Sequence, residues 1–426
     1  MLKMSYTLIG LILVALILGC SNGEREGFTS HLKESQQIIE PSDSDGTDET
    51  SIEVEQDFEI QFVRETSYGS TDDIVVGSIG SFSVDGNNRV FIVDRNRVNV
   101  HVYQPEGNFL TSLGNQGRGP GEFMAVGPYT MIAIHSKRFY ITDLADVHLQ
   151  FPYRMHAFSL TDLSFIHTIN LLARNISEFE ELDGYYPKWI YPLDDDAFLV
   201  SYHRSPQEYL DEESMIYYFV QDNSGNIESG PVLKQKDRTN LITEVTDFEI
   251  PYRAINSFPF HGKSLLTVSE GDELFTVNHT EEFKIDVYTL QGEQIRTIEH
   301  AFENLSFNRD EILDYYKKIN YGHRLGEGVA LKMIQEAENL PETWPAIENM
   351  LIDDKNLIWI STIVENFDIY EWWVLNGESG ELITKFEWPR DEPIEVVKNG
   401  YIYTRQTDDE TGLQQVVRYR IDWEEV

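Results

Sequence analysis

Short runs of alternating apolar and polar residues recur along most of the chain. Alternation over four to eight residues predicts β-strands that bury one face. Six copies share one template, in which a polar turn precedes a short apolar strand. The copies span residues 88–94, 137–143, 196–201, 263–268, 355–360 and 399–404. A sequence period near 40 to 50 residues is typical of propeller blades, so six copies predict six blades.

Further strands around each copy complete a four-stranded meander. Inner strands are predicted before the template, at 82–84, 131–134, 255–260 and 394–397. Outer strands follow it, separated by turns that offer glycine where a positive φ is needed. Residues 58–63 also alternate, and we expect them to close the ring by joining the last blade, since closure removes free sheet edges. The predicted fold is therefore an all-β, six-bladed β-propeller.

One blade carries a more specific pattern. Residues 89–123 read RVFIVDRNRVNVHVYQPEGNFLTSLGNQGRGPGEF, which resembles an NHL repeat followed by its blade-to-blade loop. The GNQGRGPGEF ending is similar to a loop of the six-bladed propeller lipoproteins of Bacteroidota-type bacteria. The resemblance implies a lipid-anchored propeller but no particular activity.

The first residues predict export. Lys3 precedes an apolar run over residues 8–18, which has the length of a signal-peptide core and is short for a membrane span. The run ends in Gly19-Cys20, which resembles a bacterial lipobox, and Cys20 is the only cysteine. We expect a lipoprotein signal peptide over residues 1–19 and a lipid on Cys20 that anchors the protein to the membrane. An ordinary cleaved signal with a cysteine at its edge is the alternative.

Composition divides the rest of the chain. Residues 20–56 are rich in Ser, Asp, Glu and Gly and are predicted to be a disordered tether, and residues 57–426 form the propeller. Ser21, rather than Asp, follows the lipidated cysteine, which favours an outer-membrane lipoprotein of the cell envelope and leaves the membrane face open. The net charge of −40 argues against nucleic acid as a partner. It fits either a solvated surface or a cation-attracting face.

A long connection between the fourth and fifth blades shows helical signals. Asn308 and Glu311 form a capping-box pair, and apolar residues follow at helical spacing. We expect a helical insertion over about 306–346, which acts either as a lid over the central channel or as a buttress against neighbouring blades.

Two groups are candidates for ligand binding. Arg118 and Glu122 lie in the glycine-rich loop, where the planar guanidinium group suits a carboxylate or phosphate. The alternative is that both residues pin the loop to the next blade. Tyr185 and Tyr186 belong to an aromatic cluster that either stacks on a sugar or peptide or packs between blades.

Three carboxylates are candidates for a metal site. Asp94, Asp143 and Glu270 each follow a predicted second strand, and carboxylates that converge at the channel mouth would suit Ca²⁺. Turn capping by aspartate is the alternative. We recognise no zinc-binding spacing and no nucleophile elbow. The sequence therefore favours a protein that binds a protein, peptide or glycan at its loop face, and the alternative is a metal-dependent hydrolase or lyase acting in the channel.

Overall fold

The structure is a computed structural model of the 426-residue chain. It describes residues 58–71, 74–127, 130–144, 152–204, 214–237, 241–245, 252–256, 262–306, 308–310, 312–313, 332, 334–335, 340–408 and 410–425. The predicted signal peptide, Cys20 and the tether lie outside these residues. Within the described ranges, no helix is long and apolar enough to cross a membrane.

Six antiparallel sheets of four strands form the fold, and each sheet is one blade of a six-bladed propeller. Blade 1 contains β2 (Ile79–Val84), β3 (Val90–Asp94), β4 (Asn99–Tyr103) and β5 (Phe109–Leu113). Blade 2 contains β6 (Ile132–His135), β7 (Arg138–Leu144), β8 (Pro152–Ser159) and β9 (Phe165–Asn170). Blade 3 contains β10 (Tyr185–Pro192), β11 (Ala197–Arg204), β12 (Met215–Asp222) and β13 (Ile227–Lys236).

The second half of the chain builds the other three blades. Blade 4 contains β16 (Leu265–Val268), β17 (Leu274–Val277), β18 (Lys284–Tyr288) and β19 (Gln294–Glu299). Blade 5 contains β20 (Asn349–Ile352), β21 (Leu357–Ile363), β22 (Ile369–Asn376) and β23 (Leu382–Pro389). Blade 6 contains β24 (Ile394–Lys398), β25 (Tyr401–Thr407), β26 (Gln414–Glu425) and β1 (Phe58–Tyr68). Between blades 3 and 4, β14 (Leu241–Val245) pairs with β15 (Tyr252–Asn256) in a separate two-stranded sheet.

The hydrophobic core lies between neighbouring blades. Alternate side chains of a strand point to opposite faces of its sheet, so each blade presents one apolar face to each neighbour. Phe91 of blade 1 and Phe139 of blade 2 stack with ring centres 4.8 Å apart, and neither ring is exposed. Tyr68 and Tyr403 of blade 6 belong to one buried cluster with Phe82 of blade 1. Burial of each such aromatic side chain stabilises the fold by roughly 1.5–3 kcal/mol.

The N-terminal strand closes the ring, as the sequence predicts. β1 pairs antiparallel with β26 from Phe58 opposite Glu425 to Tyr68 opposite Val416. Two ion pairs cross this seam, from Arg418 and Arg420 to Glu65, each at 3.1 Å. Blade 6 therefore combines the first strand of the propeller with the last three.

The sequence-based strand assignment is wrong in blade 4. Residues 263–268 were expected to contain a second strand, but Leu265–Val268 is the first strand, and the second is Leu274–Val277. The expected inner strand at 255–260 is also wrong, because Tyr252–Asn256 belongs to the separate two-stranded sheet. In the other five blades, the template strand is the second strand of its sheet.

The long connection between β19 and β20 is described only in part. Residues 309–310, 312–313, 332 and 334–335 are helical, and Ile312 and Ile334 are fully buried. Most of the range 306–346 lies outside the described residues, so the helical insertion and its role as lid or buttress stay predictions. Near the end of this connection, the Trp344 backbone N–H donates to the Leu305 carbonyl at 2.9 Å.

Candidate functional site

Two kinds of connection meet on one face of the propeller. Neighbouring strands run in opposite directions, so the connections between blades and those between second and third strands emerge at the same end of each sheet. We call this end the loop face. The turns between first and second strands lie on the opposite face.

Asp94 and Asp143 occupy matching positions in blades 1 and 2, and both are fully buried. Asp94 Oδ1 accepts hydrogen bonds from the backbone N–H groups of Asn96 and Arg97, at 2.8 and 3.2 Å. Its Oδ2 lies 3.3 Å from His101 Nε2, and His101 Nδ1 lies 2.9 Å from Ser112 Oγ. Burial alone would raise the pKa of Asp94, but these hydrogen bonds from His101 and the backbone lower it below its ordinary value.

Blade 2 repeats this arrangement with one addition. Asp143 Oδ2 lies 3.5 Å from His156 Nε2, and His156 Nδ1 lies 3.0 Å from Thr168 Oγ1. The same Oδ2 accepts a 2.6 Å bond from Arg154 Nε, and Oδ1 accepts the backbone N–H groups of Met124 and Ala125.

Both sets have the residue types of a hydrolase triad. Their imidazole rings, on His101 and His156, are fully buried, and the arrangement recurs in two adjacent blades. These observations favour a structural role that ties the second, third and fourth strands of each blade together.

The structure does not bring the three proposed metal ligands together. Glu270 follows the first strand of blade 4 rather than the second, so it lies on the opposite face from Asp94 and Asp143. Its Oε1 accepts a 3.2 Å bond from Lys398 Nζ. Among the residues that the structure describes, no group of three or more His, Cys, Asp or Glu side chains is arranged to hold a metal ion. The Ca²⁺ hypothesis and the metal-dependent hydrolase or lyase therefore gain no support from the described geometry.

The glycine-rich loop joins blade 1 to blade 2. Glu122 Oε2 accepts the backbone N–H of Gly119 at 2.7 Å, and the Gly117 N–H donates to the Phe123 carbonyl at 2.9 Å. The Phe123 ring is fully buried and lies 5.5 Å from the His156 ring. Glu122 thus stabilises its own loop, and Phe123 anchors that loop to blade 2. Arg118 is exposed and has no hydrogen bond or ion pair to any other residue that the structure describes.

Tyr185 and Tyr186 lie in β10, the first strand of blade 3. The Tyr185 ring packs edge-on against Tyr217 at 5.2 Å, and the Arg204 guanidinium carbon lies 5.6 Å from the Tyr185 ring centre. Burial raises the pKa of Tyr185. Tyr186 lies opposite His203 in the β10–β11 ladder and is half-buried. These contacts show packing within blade 3, while Arg118 and Glu122 lie in the loop between blades 1 and 2.

The sequence did not identify a pocket that opens on the loop face at the end of blade 5. The pocket has a volume of about 210 Å³. Tyr370, Trp372 and Trp388 supply aromatic walls, and Lys263, Glu348 and Ser361 supply polar groups. Lys263 precedes blade 4, whereas the other five come from blade 5 or lie directly before it.

Several polar side-chain atoms of the residues that line this pocket are buried and have no hydrogen-bond partner among the described residues. They include Ser361 Oγ, Trp372 Nε1 and Glu348 Oε2. Ser361 is 1% exposed and Trp372 is 2% exposed, so neither atom reaches bulk solvent readily. A buried polar group without a partner costs about 1–3 kcal/mol, and a ligand that supplies the partner recovers this free energy. The grouping of three such atoms on residues that line one cavity favours a binding site there.

The other Glu348 oxygen is paired. Glu348 Oε1 accepts a 3.0 Å bond from Lys263 Nζ, which links the start of blade 5 to the entry of blade 4. This ion pair leaves Oε2 as an acceptor while largely balancing the charge of the carboxylate.

Aromatic rings and one arginine form the rim of the pocket. The Arg390 guanidinium carbon lies 4.3 Å from the Tyr370 ring centre and 5.5 Å from that of Phe367. Phe367 in turn packs against Trp344, with ring centres 5.2 Å apart. Trp344 is 2% exposed and belongs to the long connection between blades 4 and 5. The end of that connection therefore supports the pocket.

A second cavity, of about 280 Å³, lies on the opposite face between blades 2 and 3. Here His135 Nε2 pairs with Asp194 Oδ1 at 2.9 Å, and Arg138 pairs with Asp196. Because these side chains already pair with one another, the larger cavity offers a ligand less than the blade 5 pocket does.

Comparisons with known proteins agree with the architecture. The family model DUF5128, described as a 6-bladed beta-propeller, matches residues 33–260, which is just over half of the chain. The chain belongs to this family of six-bladed β-propellers. Among proteins with curated functions, none matches the sequence.

Solved structures with similar folds are distant in sequence. A Bacteroides fragilis protein described as exported is 13% identical, with 86% of this chain and 96% of that chain covered and a TM-score of 0.46. A DUF4221-family protein of Bacteroides vulgatus is 11% identical, with 87% and 100% covered and a TM-score of 0.47. A streptogramin B lyase is 10% identical, with 86% and 98% covered and a TM-score of 0.36. At these values, the similarities carry no argument about function.

Proposed function

We propose that the chain is an exported, lipid-anchored, NHL-like propeller that binds a ligand through the loop face of blade 5. The lipobox-like end of the signal peptide supports membrane attachment through Cys20. The resemblance of residues 89–123 to an NHL repeat supports the same class of protein. The proposed location is the outer membrane of the cell envelope, and the proposed ligand is a protein, peptide or glycan.

The blade 5 pocket is the observation that carries this proposal. Stable folds rarely leave buried donors and acceptors unpaired, because each one lowers the free energy of unfolding. Here Ser361, Trp372 and Glu348 leave unpaired atoms around one cavity on the face where propeller ligands bind. A ligand that enters the pocket would supply hydrogen-bond partners for these atoms.

Thermal shift measurements on the full chain test the binding site. The probes are neutral methyl glycosides, N-acetylated amino-acid amides and short peptides, each compared in the native protein and in a Ser361→Leu variant that fills the pocket. We expect at least one probe to raise the Tm of the native protein and to lose this effect in the variant. Binding that Ser361→Leu leaves unchanged would move the site elsewhere, and Arg118→Ala then tests the glycine-rich loop.

Metabolic labelling tests the membrane anchor. The protein is expressed in a bacterial host that is fed an alkyne analogue of palmitate, and a Cys20→Ala variant is the control. We expect label on the native chain and none on the variant. An unlabelled native chain that is released from the membrane fraction would contradict lipid anchorage without bearing on the pocket.

A further inference from the structure

We infer that the blade 5 pocket holds one neutral sugar residue, an inference that rests on the proposed binding function. The unpaired atoms define the ligand chemistry. Trp372 Nε1 carries an N–H group and can only donate, whereas Glu348 Oε2 is a carboxylate oxygen and accepts. Ser361 Oγ does either. The ligand must therefore present acceptors and donors at separate positions.

Charged ligands fit these groups poorly. A carboxylate would accept from the Trp372 N–H but would face the Glu348 carboxylate, and an ammonium group would face Lys263. Because Lys263 and Glu348 already pair at 3.0 Å, each largely balances the charge of the other, and the further charged residue of the lining, Arg390, lies over the Tyr370 ring at the rim. A neutral ligand keeps this pair intact and still reaches the second oxygen of Glu348.

Hydroxyl groups on a ring supply both the donors and the acceptors that these three atoms require. Each hydroxyl donates one hydrogen bond and accepts two, so neighbouring hydroxyls can meet an indole N–H, a serine hydroxyl and a carboxylate oxygen in any order. A side-chain amide also donates and accepts, but it carries these groups on two atoms only, whereas the hydroxyls of a sugar place them at several positions around a ring. The cavity has a volume of about 210 Å³, which favours a small ligand over a folded peptide.

The aromatic walls match the remaining surface of a sugar. Tyr370, Trp372 and Trp388 line the same pocket, and their rings offer apolar surface to the C–H groups of a pyranose. Trp388 Nε1 donates to the Glu392 carbonyl at 2.6 Å, so its ring is held in place by the chain itself. The pocket thus combines fixed aromatic surface with unpaired polar atoms.

Isothermal titration calorimetry on the full chain tests the inference. The probes are the methyl glycosides of glucose, galactose, mannose, xylose and N-acetylglucosamine, with N-acetylglutamine methylamide and sodium acetate as probes of other chemistry. We expect at least one glycoside to bind, and neither of the other two probes to compete with it.

Three variants connect binding to the atoms. Ser361→Ala and Trp372→Phe each remove one unpaired group and should weaken glycoside binding about 3- to 10-fold, while Glu348→Gln should weaken it about 10-fold or more. Ser201→Ala is the matched control. Ser201 is also a fully buried serine of a second strand, but its hydroxyl already accepts the backbone N–H of Trp189 at 2.9 Å, so this variant should lose stability and keep glycoside binding.

The outcomes separate the two proposals. If an amide or peptide binds in a way that Ser361→Leu abolishes and no glycoside binds, the sugar inference fails and the binding function stands. If no probe of any class binds, both fail. Glycoside binding that is unchanged in Ser361→Ala and Trp372→Phe would also overturn the inference, because these atoms carry it.

Discussion

Asp94 and Asp143 occupy matching positions in blades 1 and 2, and we expect their replacement by asparagine to cost different amounts of stability because only Asp143 binds an arginine. Asp94→Asn and Asp143→Asn replace matching buried carboxylates, and each asparagine keeps an oxygen for the two backbone N–H groups bound by Oδ1. In each blade the new amide N–H group donates to the histidine when the imidazole proton moves to Nδ1. Only Asp143 also accepts from Arg154.

The expected losses of unfolding free energy follow from this difference. In blade 1, the exchange of donor and acceptor with His101 keeps every group paired, so Asp94→Asn should cost about 0.5–1.5 kcal/mol. In blade 2, the amide N–H cannot accept from Arg154, whose charge-assisted bond at 2.6 Å is lost. Arg154 is 26% exposed and keeps some water contact, so we expect Asp143→Asn to cost about 3–4 kcal/mol rather than more.

Urea denaturation measures both costs. The seven tryptophans report unfolding by fluorescence, and unchanged slopes of the transitions would show that only stability differs. We expect the midpoint of Asp143→Asn to fall well below that of Asp94→Asn. Equal losses in the two variants would refute the reasoning, because the Arg154 bond would then contribute nothing measurable.

Three further predictions concern the fold. Gly114→Ala should destabilise the protein by about 1–3 kcal/mol because Gly114 has a φ of +69° and an added Cβ would collide with a buried phenylalanine ring, while Gly86→Ala, which meets nothing within 4 Å, should change the unfolding free energy by less than about 1 kcal/mol. Removal of residues 1–68 should open the ring and produce aggregates in size-exclusion chromatography, and a soluble monomer with the stability of a 1–56 deletion would contradict the closure. The pKa of Asp94 is lower in the folded state than its ordinary value of 3.8, so the ionised carboxylate stabilises the fold above that pH. As the pH falls below 3.8, the unfolded chain takes up the proton first and the stabilisation by the carboxylate is lost. The difference in unfolding free energy between Asp94→Asn and the native protein should therefore shrink from about pH 7 to about pH 3.

Alternation predicted the blades because each strand buries one face against a neighbouring blade. The same physics predicted that residues 58–63 would pair with the end of the chain. The strand assignment failed in blade 4 because its first two strands have similar sequences. Leu265–Val268 and Leu274–Val277 read LLTV and LFTV, and both follow polar residues. The sequence pattern alone cannot distinguish a first strand from a second one when the two are so similar.

The pocket was beyond prediction because its parts are distant in the sequence. Lys263, Glu348 and Ser361 are each ordinary residues near the end of a strand, and only the arrangement of blades 4 and 5 brings them to one cavity. Trp372 and Trp373 are adjacent in β22 and therefore face opposite neighbours. Trp373 packs toward blade 4, and Trp372 packs toward blade 6, where its N–H group finds no partner among the described residues.

A crystal structure of the protein with its tightest methyl glycoside tests the binding site most directly. We predict one pyranose ring in the blade 5 pocket, with hydroxyl oxygens within 3.2 Å, about the limit for a good hydrogen bond, of Ser361 Oγ, Trp372 Nε1 and Glu348 Oε2. A sugar bound elsewhere on the propeller, with only water beside these three atoms, would contradict the account.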